Sequence, residues 1–192
     1  MNKTIEEQIN EYTDLLLKWQ KRINLISPET IHSIQERHIN DSKALLNLLP
    51  QDKKILDIGS GGGFPGIILG IYGYQIDLLD SDYRKCSFLK EVVRILKLTN
   101  VNVYNCRIEE YSGDVPSIVT SRALASVDKL LGFLTIVSRE TGVQGFFHKG
   151  EKWEQEIQDA EKKWIFDKEV FANPNGGVIL RVENIVQRKM KA

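Results

Sequence analysis

Apolar residues near the start of the chain recur every three or four positions. They are Ile5, Ile9, Tyr12, Leu16 and Trp19. This spacing places them on one face of a helix. Thr4 and Glu7 stand in the arrangement of a capping box, in which each side chain satisfies a backbone N–H of the other residue. The pattern therefore predicts an amphipathic helix over residues 5–20.

Two further helix starts follow within the first 50 residues. Ser27-Pro28 combines a capping residue with a proline at the first helical position. A third helix is predicted from Asp41 to Leu49, ending near Pro50. We interpret residues 1–50 as an N-terminal helical extension packed on the core. Residues 51–192 then form that core, and the whole chain is expected to be a single domain.

From residue 54 onward, short apolar runs alternate with helical patterns. The runs cover residues 54–58, 75–80, 101–104, 115–119, 145–148 and 178–182. The helical stretches are 65–72, 82–97, 126–138 and 151–162. This alternation predicts βαβ crossovers and an α/β, doubly wound, mostly parallel sheet. Gly176-Gly177 suggests a hairpin, so the last strand is predicted to be an antiparallel edge strand.

Composition narrows the class of protein. The 192 residues include 26 basic and 26 acidic ones, so the formal net charge is zero. That balance argues against coating nucleic acid through bulk charge, although it permits a local basic face. No run of about 18 apolar residues occurs and the N-terminus lacks a signal-peptide pattern, so we expect a cytoplasmic protein without a membrane span.

The cysteines do not suggest a metal site. Cys86 and Cys106 are 20 residues apart and have no second cysteine pair or histidine pair nearby. A structural metal site or a disulfide framework would need more ligands. We expect two reduced thiols and no metal.

The strongest chemical signal is a glycine-rich stretch that follows the first predicted core strand. Residues 57–66 read Asp-Ile-Gly-Ser-Gly-Gly-Gly-Phe-Pro-Gly. Glycines there let the chain turn sharply and let a ligand approach bare backbone. Alone the stretch is weak evidence, because it could be a purely structural turn. Gly61-x-Gly63-x-x-Gly66 also matches a dinucleotide fingerprint.

Asp57 separates the candidate ligands. A carboxylate just before the glycines would repel the pyrophosphate of a dinucleotide, which binds helix N-terminal amides. S-adenosylmethionine instead carries a sulfonium and an ammonium group. Opposite charges about 4 Å apart near a surface gain a few kcal/mol. The alternative is that Asp57 caps the following helix or the loop.

Further cofactor contacts are expected beyond the second and third strands. Asp80 ends the second strand, 21 residues after Gly59. This is near the spacing at which an acid binds a ribose diol. Ile108 and Glu109 follow the third strand, where they would contact the face and edge of an adenine ring. The alternatives are a solvated acid at position 80 and a helix N-terminal turn at 108–109.

Contacts with nucleic acid would have to be local. The candidates are Arg37, His38, Arg122, His148 and Lys149. Arg122 lies at the carboxyl end of the fourth strand, the edge at which ligands bind in open parallel sheets. A guanidinium can stack on a base or clasp phosphate. The alternative for each residue is a solvated surface charge.

With these residues in hand, the chain closely resembles the ribosomal RNA small subunit methyltransferase G family, also called glucose-inhibited division protein B. The resemblance covers nearly the whole chain. It rests on Asn24-Leu25, Arg37-His38-Ile39, Asp41-Ser42, Leu56 to Gly66, Leu78 to Ser81, Lys85, Phe88-Leu89, Ser121-Arg122-Ala123 and Lys149-Gly150. The Gly-Phe-Pro-Gly stretch and the Ser-Arg-Ala triplet are its specific parts. Ile26 departs from it, because the family more often has threonine there.

The resemblance implies a class I methyltransferase with a Rossmann-like, seven-stranded sheet. It also implies transfer of a methyl group from S-adenosylmethionine to N7 of one guanine in 16S rRNA of the small ribosomal subunit. Cofactor contacts carry over to Gly59, Phe64, Ile108, Glu109 and Arg122, and Gly61 belongs to the same loop. We expect a monomer. The competing hypotheses are an NAD-dependent oxidoreductase, a small-molecule methyltransferase and a non-catalytic cofactor-binding regulator.

No general base is expected in this reaction. Guanine N7 carries an unprotonated lone pair at neutral pH and needs no deprotonation before attack. The sequence also lacks the Asn-Pro-Pro-Tyr stretch used on exocyclic amines and the Pro-Cys nucleophile used on cytosine. The catalytic contribution is therefore expected to be alignment of the reacting atoms, with Arg122 positioning the substrate.

Overall fold

The computed structural model describes residues 3–138 and 142–189. The α-helices in these ranges are α1 (Ile5–Gln20), α2 (Asp41–Lys43), α3 (Gly66–Ile71), α4 (Tyr83–Leu96), α5 (Val127–Val137) and α6 (Trp153–Glu161). The strands are β1 (Lys54–Ile58), β2 (Gln75–Asp80), β3 (Val101–Asn105), β4 (Ile118–Arg122), β5 (Gln144–Lys149), β6 (Trp164–Ala172) and β7 (Val178–Gln187). Tighter or wider helical turns cover Pro28–Ser33, Gln35–Asn40, Ala44–Asn47 and Ile108–Glu110.

In the described ranges, seven strands form one sheet in the order β3-β2-β1-β4-β5-β7-β6. Strands β1 to β5 pair in parallel, whereas β7 runs antiparallel to both β5 and β6. The α/β, doubly wound fold with an antiparallel last strand is therefore confirmed.

The last strand is not an edge strand, and that part of the prediction is wrong. β7 lies between β5 and β6, so β3 and β6 are the edges. β6 was not predicted, because most of its side chains are solvent-exposed and Trp164 alone is buried within it, so no alternating apolar pattern marks the strand. Backbone pairing with β7 holds this strand in place. β4 also begins at Ile118, later than predicted, because Pro116 cannot donate a hydrogen bond to the neighbouring strands.

The first helix agrees with the prediction. The Glu7 N–H donates to Thr4 Oγ1 (3.2 Å) and the Thr4 N–H donates to Glu7 Oε2 (2.7 Å), which completes the capping box. Ile9, Tyr12 and Leu16 are buried, and the helix packs against α3 and α4. The N-terminal helical extension therefore shares an apolar cluster with the core sheet.

The rest of the N-terminal helical extension is less regular than predicted. Residues 28–33 form a 3-10 turn whose Ser27 hydroxyl contacts Glu29 and caps no backbone N–H. The helix predicted from Asp41 begins earlier, at Gln35, with one π-helical stretch before α2. The Ser42 hydroxyl donates to the His38 carbonyl (2.7 Å), and such side-chain bonds compete with regular helical bonding.

The topology fixes where a ligand can bind. The chain leaves β1 towards β2 on one side, while β4 pairs on the other side of β1. In open α/β sheets the crevice at such a reversal, outside the carboxyl ends of the strands, is the ligand site. Within the described ranges, no helix has the length and apolar character needed to cross a bilayer.

Candidate functional site

The glycine-rich loop after β1 is tied to the end of β2. The Gly59 N–H donates to the Leu79 carbonyl (2.8 Å), and Ser60 Oγ donates to the Asp57 carbonyl (2.8 Å). Gly59 and Gly61 have φ angles of 66° and 54°, in the left-handed region that favours glycine. The loop therefore turns within three residues and presents its backbone at the carboxyl edge of the sheet.

Asp80 holds this loop and also faces a cavity. Its Oδ2 accepts the Gly61 N–H (2.9 Å), and its Oδ1 accepts the Asp82 N–H (2.9 Å). A carboxylate offers about four lone-pair sites, so both oxygens keep capacity for another donor. This geometry suits the predicted hydrogen bonds from a ribose diol.

Asp80 lines a cavity of about 460 Å³ at the ends of β1, β2 and β3. We call it the β2–β3 cavity. Ile108 and Glu109 line it from the 3-10 turn after β3, and Leu124 and Phe133 add apolar surface. The structure thus brings together an acid, an apolar wall and a bare backbone, which match the ribose, adenine face and chain of an adenosyl group.

A second cavity of about 440 Å³ lies at the ends of β4 and β5, and we call it the β4–β5 cavity. Every residue predicted to contact RNA lines it; these are Arg37, His38, Arg122, His148 and Lys149. Gly61, Phe64 and Arg122, which were predicted as cofactor contacts, line this cavity and not the β2–β3 cavity. Gly59, Lys85 and Ala123 line both cavities, so the two meet at the glycine loop.

Arg122 lines the β4–β5 cavity and is held there by two contacts. Its guanidinium carbon lies 5.1 Å from the centroid of the Phe64 ring, and its Nη1 donates to the Arg37 carbonyl (2.9 Å). Burial lowers the pKa of Arg122, but a guanidinium stays charged at neutral pH. A half-buried cation with unused donors therefore faces the cavity.

The two histidines of this cavity are neutral. Burial and the nearby charges of Arg122 and Arg37 lower the pKa of His38 to about 3. Burial also lowers the pKa of His148. His148 Nε2 contacts the Asp41 carbonyl (2.9 Å), which can only accept, so this nitrogen carries the proton. Nδ1 of His148 keeps a lone pair with no partner among the described residues.

Lys149 and Arg37, both predicted to contact RNA, differ in how many of their hydrogen-bond donors are already used within the protein. Lys149 is occupied, because its Nζ pairs with Glu156 (2.5 Å) and donates to the Ala125 carbonyl (2.8 Å). The structure therefore does not favour Lys149 as a phosphate ligand. Arg37 is exposed and uses one Nη1 donor on the Asn175 carbonyl (2.7 Å), which leaves most of its fork available.

Asp57 lies elsewhere than the charge argument predicted. Its side chain is fully buried, lines neither cavity and accepts a hydrogen bond from Thr120 Oγ1 (2.9 Å). A Cβ on Gly66 would lie 2.9 Å from Asp57 Oδ2, so the carboxyl sits against the start of α3. This favours the alternative in which Asp57 anchors the loop, and direct contact with a cationic ligand is not supported.

Burial raises the pKa of Asp57 to about 6, which gives a testable pH dependence. The folded state binds this proton more tightly than the unfolded chain, so the carboxyl destabilises the fold as pH rises from about 4 to 7. A shift of roughly two pKa units corresponds to about 3 kcal/mol. Asparagine carries no charge at any pH. Between about pH 4 and pH 7, the unfolding free energy of Asp57→Asn minus that of wild type should therefore increase by about 3 kcal/mol, measured by urea denaturation.

Asp82→Asn provides a control of opposite sign. The Asp82 carboxyl accepts the Arg84 and Lys85 N–H groups, and the Arg84 contact is the main cause of its lowered pKa. Removing this charge should therefore cost more stability as pH rises. A difference between Asp57→Asn and wild type that does not change with pH would contradict the buried-carboxyl interpretation.

Sequence reasoning missed residues that complete the β4–β5 cavity. Thr30 Oγ1 contacts His38 Nε2 at 2.7 Å. Asn173 is buried and its Nδ2 donates to Asp41 Oδ1 (3.1 Å). Asn173 comes from the β6–β7 hairpin, and only recognition of β6 as a strand could have indicated it.

The family model and the similar sequences agree on one protein family. The family model described as rRNA small subunit methyltransferase G matches residues 5–177. A protein named ribosomal RNA small subunit methyltransferase G from Gluconobacter oxydans is 39% identical over 187 residues, covering 96% of each chain. A protein of the same name from Paramagnetospirillum magneticum is 42% identical over 183 residues, covering 93% of this chain and 88% of its own.

Solved structures support the fold. A methyltransferase from Methanococcus maripaludis, described as S-adenosylmethionine-dependent, superposes with a TM-score of 0.61 at 13% identity, covering 97% of this chain and 96% of its own. A variant of MtNAS crystallised with S-adenosylmethionine gives a TM-score of 0.62 at 14% identity, covering 93% of this chain and 75% of its own. At this identity the likeness concerns the fold alone.

Proposed function

The chain belongs to the ribosomal RNA small subunit methyltransferase G family, and we propose that it methylates N7 of one guanine in 16S rRNA with S-adenosylmethionine as methyl donor. The observation that carries this proposal is the pair of cavities that meet at Gly59. One offers carboxylates and apolar walls, and the other offers guanidinium and imidazole groups. The first suits an adenosyl group and the second suits an RNA base with its phosphates.

The residues of the β2–β3 cavity fit the methyl donor. Asp80 would accept hydrogen bonds from the ribose, Ile108 would pack on the adenine face and Glu109 would lie at its edge. A side chain at Gly59 would crowd the site, because its Cβ would lie 2.5 Å from Leu124 Cδ1. When bound, S-adenosylmethionine supplies a methyl group activated by its sulfonium.

The chain's own contribution is to hold the guanine in line. Arg122 is fixed by Phe64 and the Arg37 carbonyl, so its remaining donors can bind a base or phosphate without reorganising. His38 and His148 are neutral and therefore add no positive charge that would repel a cationic donor. Alignment of the reacting atoms is worth several kcal/mol of the barrier.

The cysteines take no part in this proposal. Burial raises the pKa of Cys86 to about 11, and its Sγ lies 3.2 Å from the Asp80 carbonyl. Burial also raises the pKa of Cys106. Both are therefore protonated thiols at neutral pH and poor nucleophiles.

The remaining parts of the proposal concern organisation and setting. The protein acts as a monomer and one domain, in which residues between Leu25 and Asp41 of the N-terminal extension form part of the wall of the β4–β5 cavity. It uses no metal ion, since an unprotonated N7 needs neither a base nor a Lewis acid. It works in the cytoplasm, where its substrate, 16S rRNA or the small ribosomal subunit, is found.

The decisive experiment maps N7-methylguanine in 16S rRNA from cells with and without this protein. We expect one modified guanine to disappear in cells that lack it and to return when the protein is supplied. Tritiated methyl transfer onto small subunits, naked rRNA and small metabolites should label RNA only. An unchanged N7-methylguanine map, or calorimetry in which NAD binds and S-adenosylmethionine does not, would refute the assignment.

A further inference from the structure

A third concavity lies outside the two cavities already described. It has a volume of about 370 Å³ and runs between the end of α1 and the start of α4. We call it the α1–α4 groove. Its eight lining residues include the cations Lys18, Lys21, Arg22 and Arg84 and the aromatic residues Trp19 and Tyr83. None of them lines the β2–β3 or the β4–β5 cavity, so the proposed chemistry leaves this groove unused.

The groove is positively charged, although the chain as a whole is neutral. Four of its eight lining residues are cations, and no acid is among them. Arg84 pairs with Asp82 at 3.5 Å. In the described part of the chain, no ion pair involves Lys18, Lys21 or Arg22. The groove is therefore suited to an anion.

Aromatic side chains accompany these charges. Tyr83, the first residue of α4, is 72% exposed, so its ring is open to a ligand. Trp19 is half-buried, and its ring centroid lies 5.7 Å from that of Phe88, which fixes its orientation. Cations interleaved with aromatic rings are the combination that binds single-stranded nucleic acid, through phosphate contacts and base stacking.

The groove lies next to the proposed site. Ile23 lines the groove and Leu25 lines the β4–β5 cavity. Likewise Tyr83 lines the groove, and Lys85 lines both cavities. Whatever the backbone conformation, and Tyr83 and Lys85 are both in α4, the Cα atoms of residues two positions apart lie at most about 7 Å from each other. An RNA strand whose guanine enters the β4–β5 cavity could therefore place a neighbouring nucleotide in the α1–α4 groove.

We propose that the α1–α4 groove binds the single-stranded RNA that flanks the target guanine. One base stacks on Tyr83 beside Trp19, while Lys21 and Arg22 contact the phosphates. RNA is read in this way where unpaired bases can be splayed out onto aromatic side chains. The inference deepens the proposed function and rests on it for the identity of the strand.

Tyr83→Ala tests the stacking contact. Loss of one stacked base should weaken binding of a short fluorescein-labelled single-stranded RNA by roughly 5- to 150-fold. It should also raise KM for methylation of small subunits. Tyr83→Phe keeps the ring and should bind like wild type. The affinity for S-adenosylmethionine, measured by calorimetry, should stay unchanged in both variants, and thermal melting should verify that both are folded.

The double variant Lys21→Gln/Arg22→Gln tests the phosphate contacts. For single strands, each lost contact should reduce the slope of log K against log salt by about 0.7. The control is Lys53→Gln/Lys162→Gln, which removes two exposed cations that lie outside the groove. It should leave both the affinity and the slope as in wild type.

These measurements separate the groove from the proposed function. Binding of the labelled RNA reports on the groove even if wild-type protein transfers no methyl group to rRNA, a result that would refute the proposed function alone. If Tyr83→Ala and the double variant both bind the RNA within twofold of wild type, the groove proposal is overturned. Equal losses in the groove and control double variants would overturn it as well.

Discussion

Replacing Gly61 with aspartate should raise the Kd for S-adenosylmethionine at least about 100-fold while the protein remains folded. The Gly61 N–H donates to Asp80 Oδ2 at 2.9 Å, so a carboxylate at position 61 would stand close to that of Asp80. Two like charges about 4 Å apart near a surface repel by roughly 4 kcal/mol. Moving either one displaces Asp80 or the loop from the β2–β3 cavity. Calorimetry measures the change.

Gly61→Asn is the matched control for that substitution. Asparagine has the size and shape of aspartate and tolerates the left-handed backbone that Gly61 adopts with φ 54°. Space is available, because the nearest atom to an added Cβ is the Gly59 carbonyl oxygen at 3.7 Å. We expect a loss below tenfold. Equal losses in both variants would show that shape rather than charge closes the site, and retained binding in Gly61→Asp would refute the loop assignment.

The parts of the site that sequence reasoning placed well are those set by local structure. The path of the glycine loop is set by the positive φ angles that its own glycines adopt. The place of Asp80 in the site follows from its position at the end of β2. Ile108 and Glu109 occupy the turn after β3 that the spacing indicated. Because parallel strands end at one edge, these local features meet without any knowledge of distant contacts.

The parts that sequence reasoning placed poorly depend on contacts across the fold. Asp57 has the right position for a ligand, but Thr120 on the neighbouring strand draws its carboxyl into the core. Asn173 reaches Asp41 across 132 positions of sequence. Lys149 is paired with Glu156 of α6. Each outcome was decided by a partner whose proximity no local pattern could reveal.

The Ser-Arg-Ala triplet illustrates how a sequence signature acquires a physical meaning. Ser121 Oγ donates to the Ile58 carbonyl (3.1 Å), which fixes the end of β4 to the end of β1. Ala123 has a φ of 55°, a strained value for a residue with a Cβ. This turn directs the chain away from the sheet beside the glycine loop. Arg122, between the two, therefore projects from an anchored strand end.

Replacing Arg122 with alanine should lower kcat/KM for rRNA methylation by at least about 100-fold. Loss of one preorganised donor at a reacting centre costs roughly 10²- to 10³-fold in turnover. The Kd for S-adenosylmethionine should change less than about fivefold, because Arg122 lines the β4–β5 cavity and not the β2–β3 cavity. Single-turnover methyl transfer and calorimetry measure the two quantities separately.

Arg122→Lys distinguishes charge from shape in the same position. Lysine keeps the positive charge but lacks the planar fork that lies over Phe64 and reaches the Arg37 carbonyl. If Arg122 aligns the base through that fork, the lysine variant should recover less than a tenth of the lost activity. Full recovery would reduce its role to charge alone. An alanine variant with unchanged turnover would remove Arg122 from the site, and a loss confined to donor affinity would assign it to the cofactor instead.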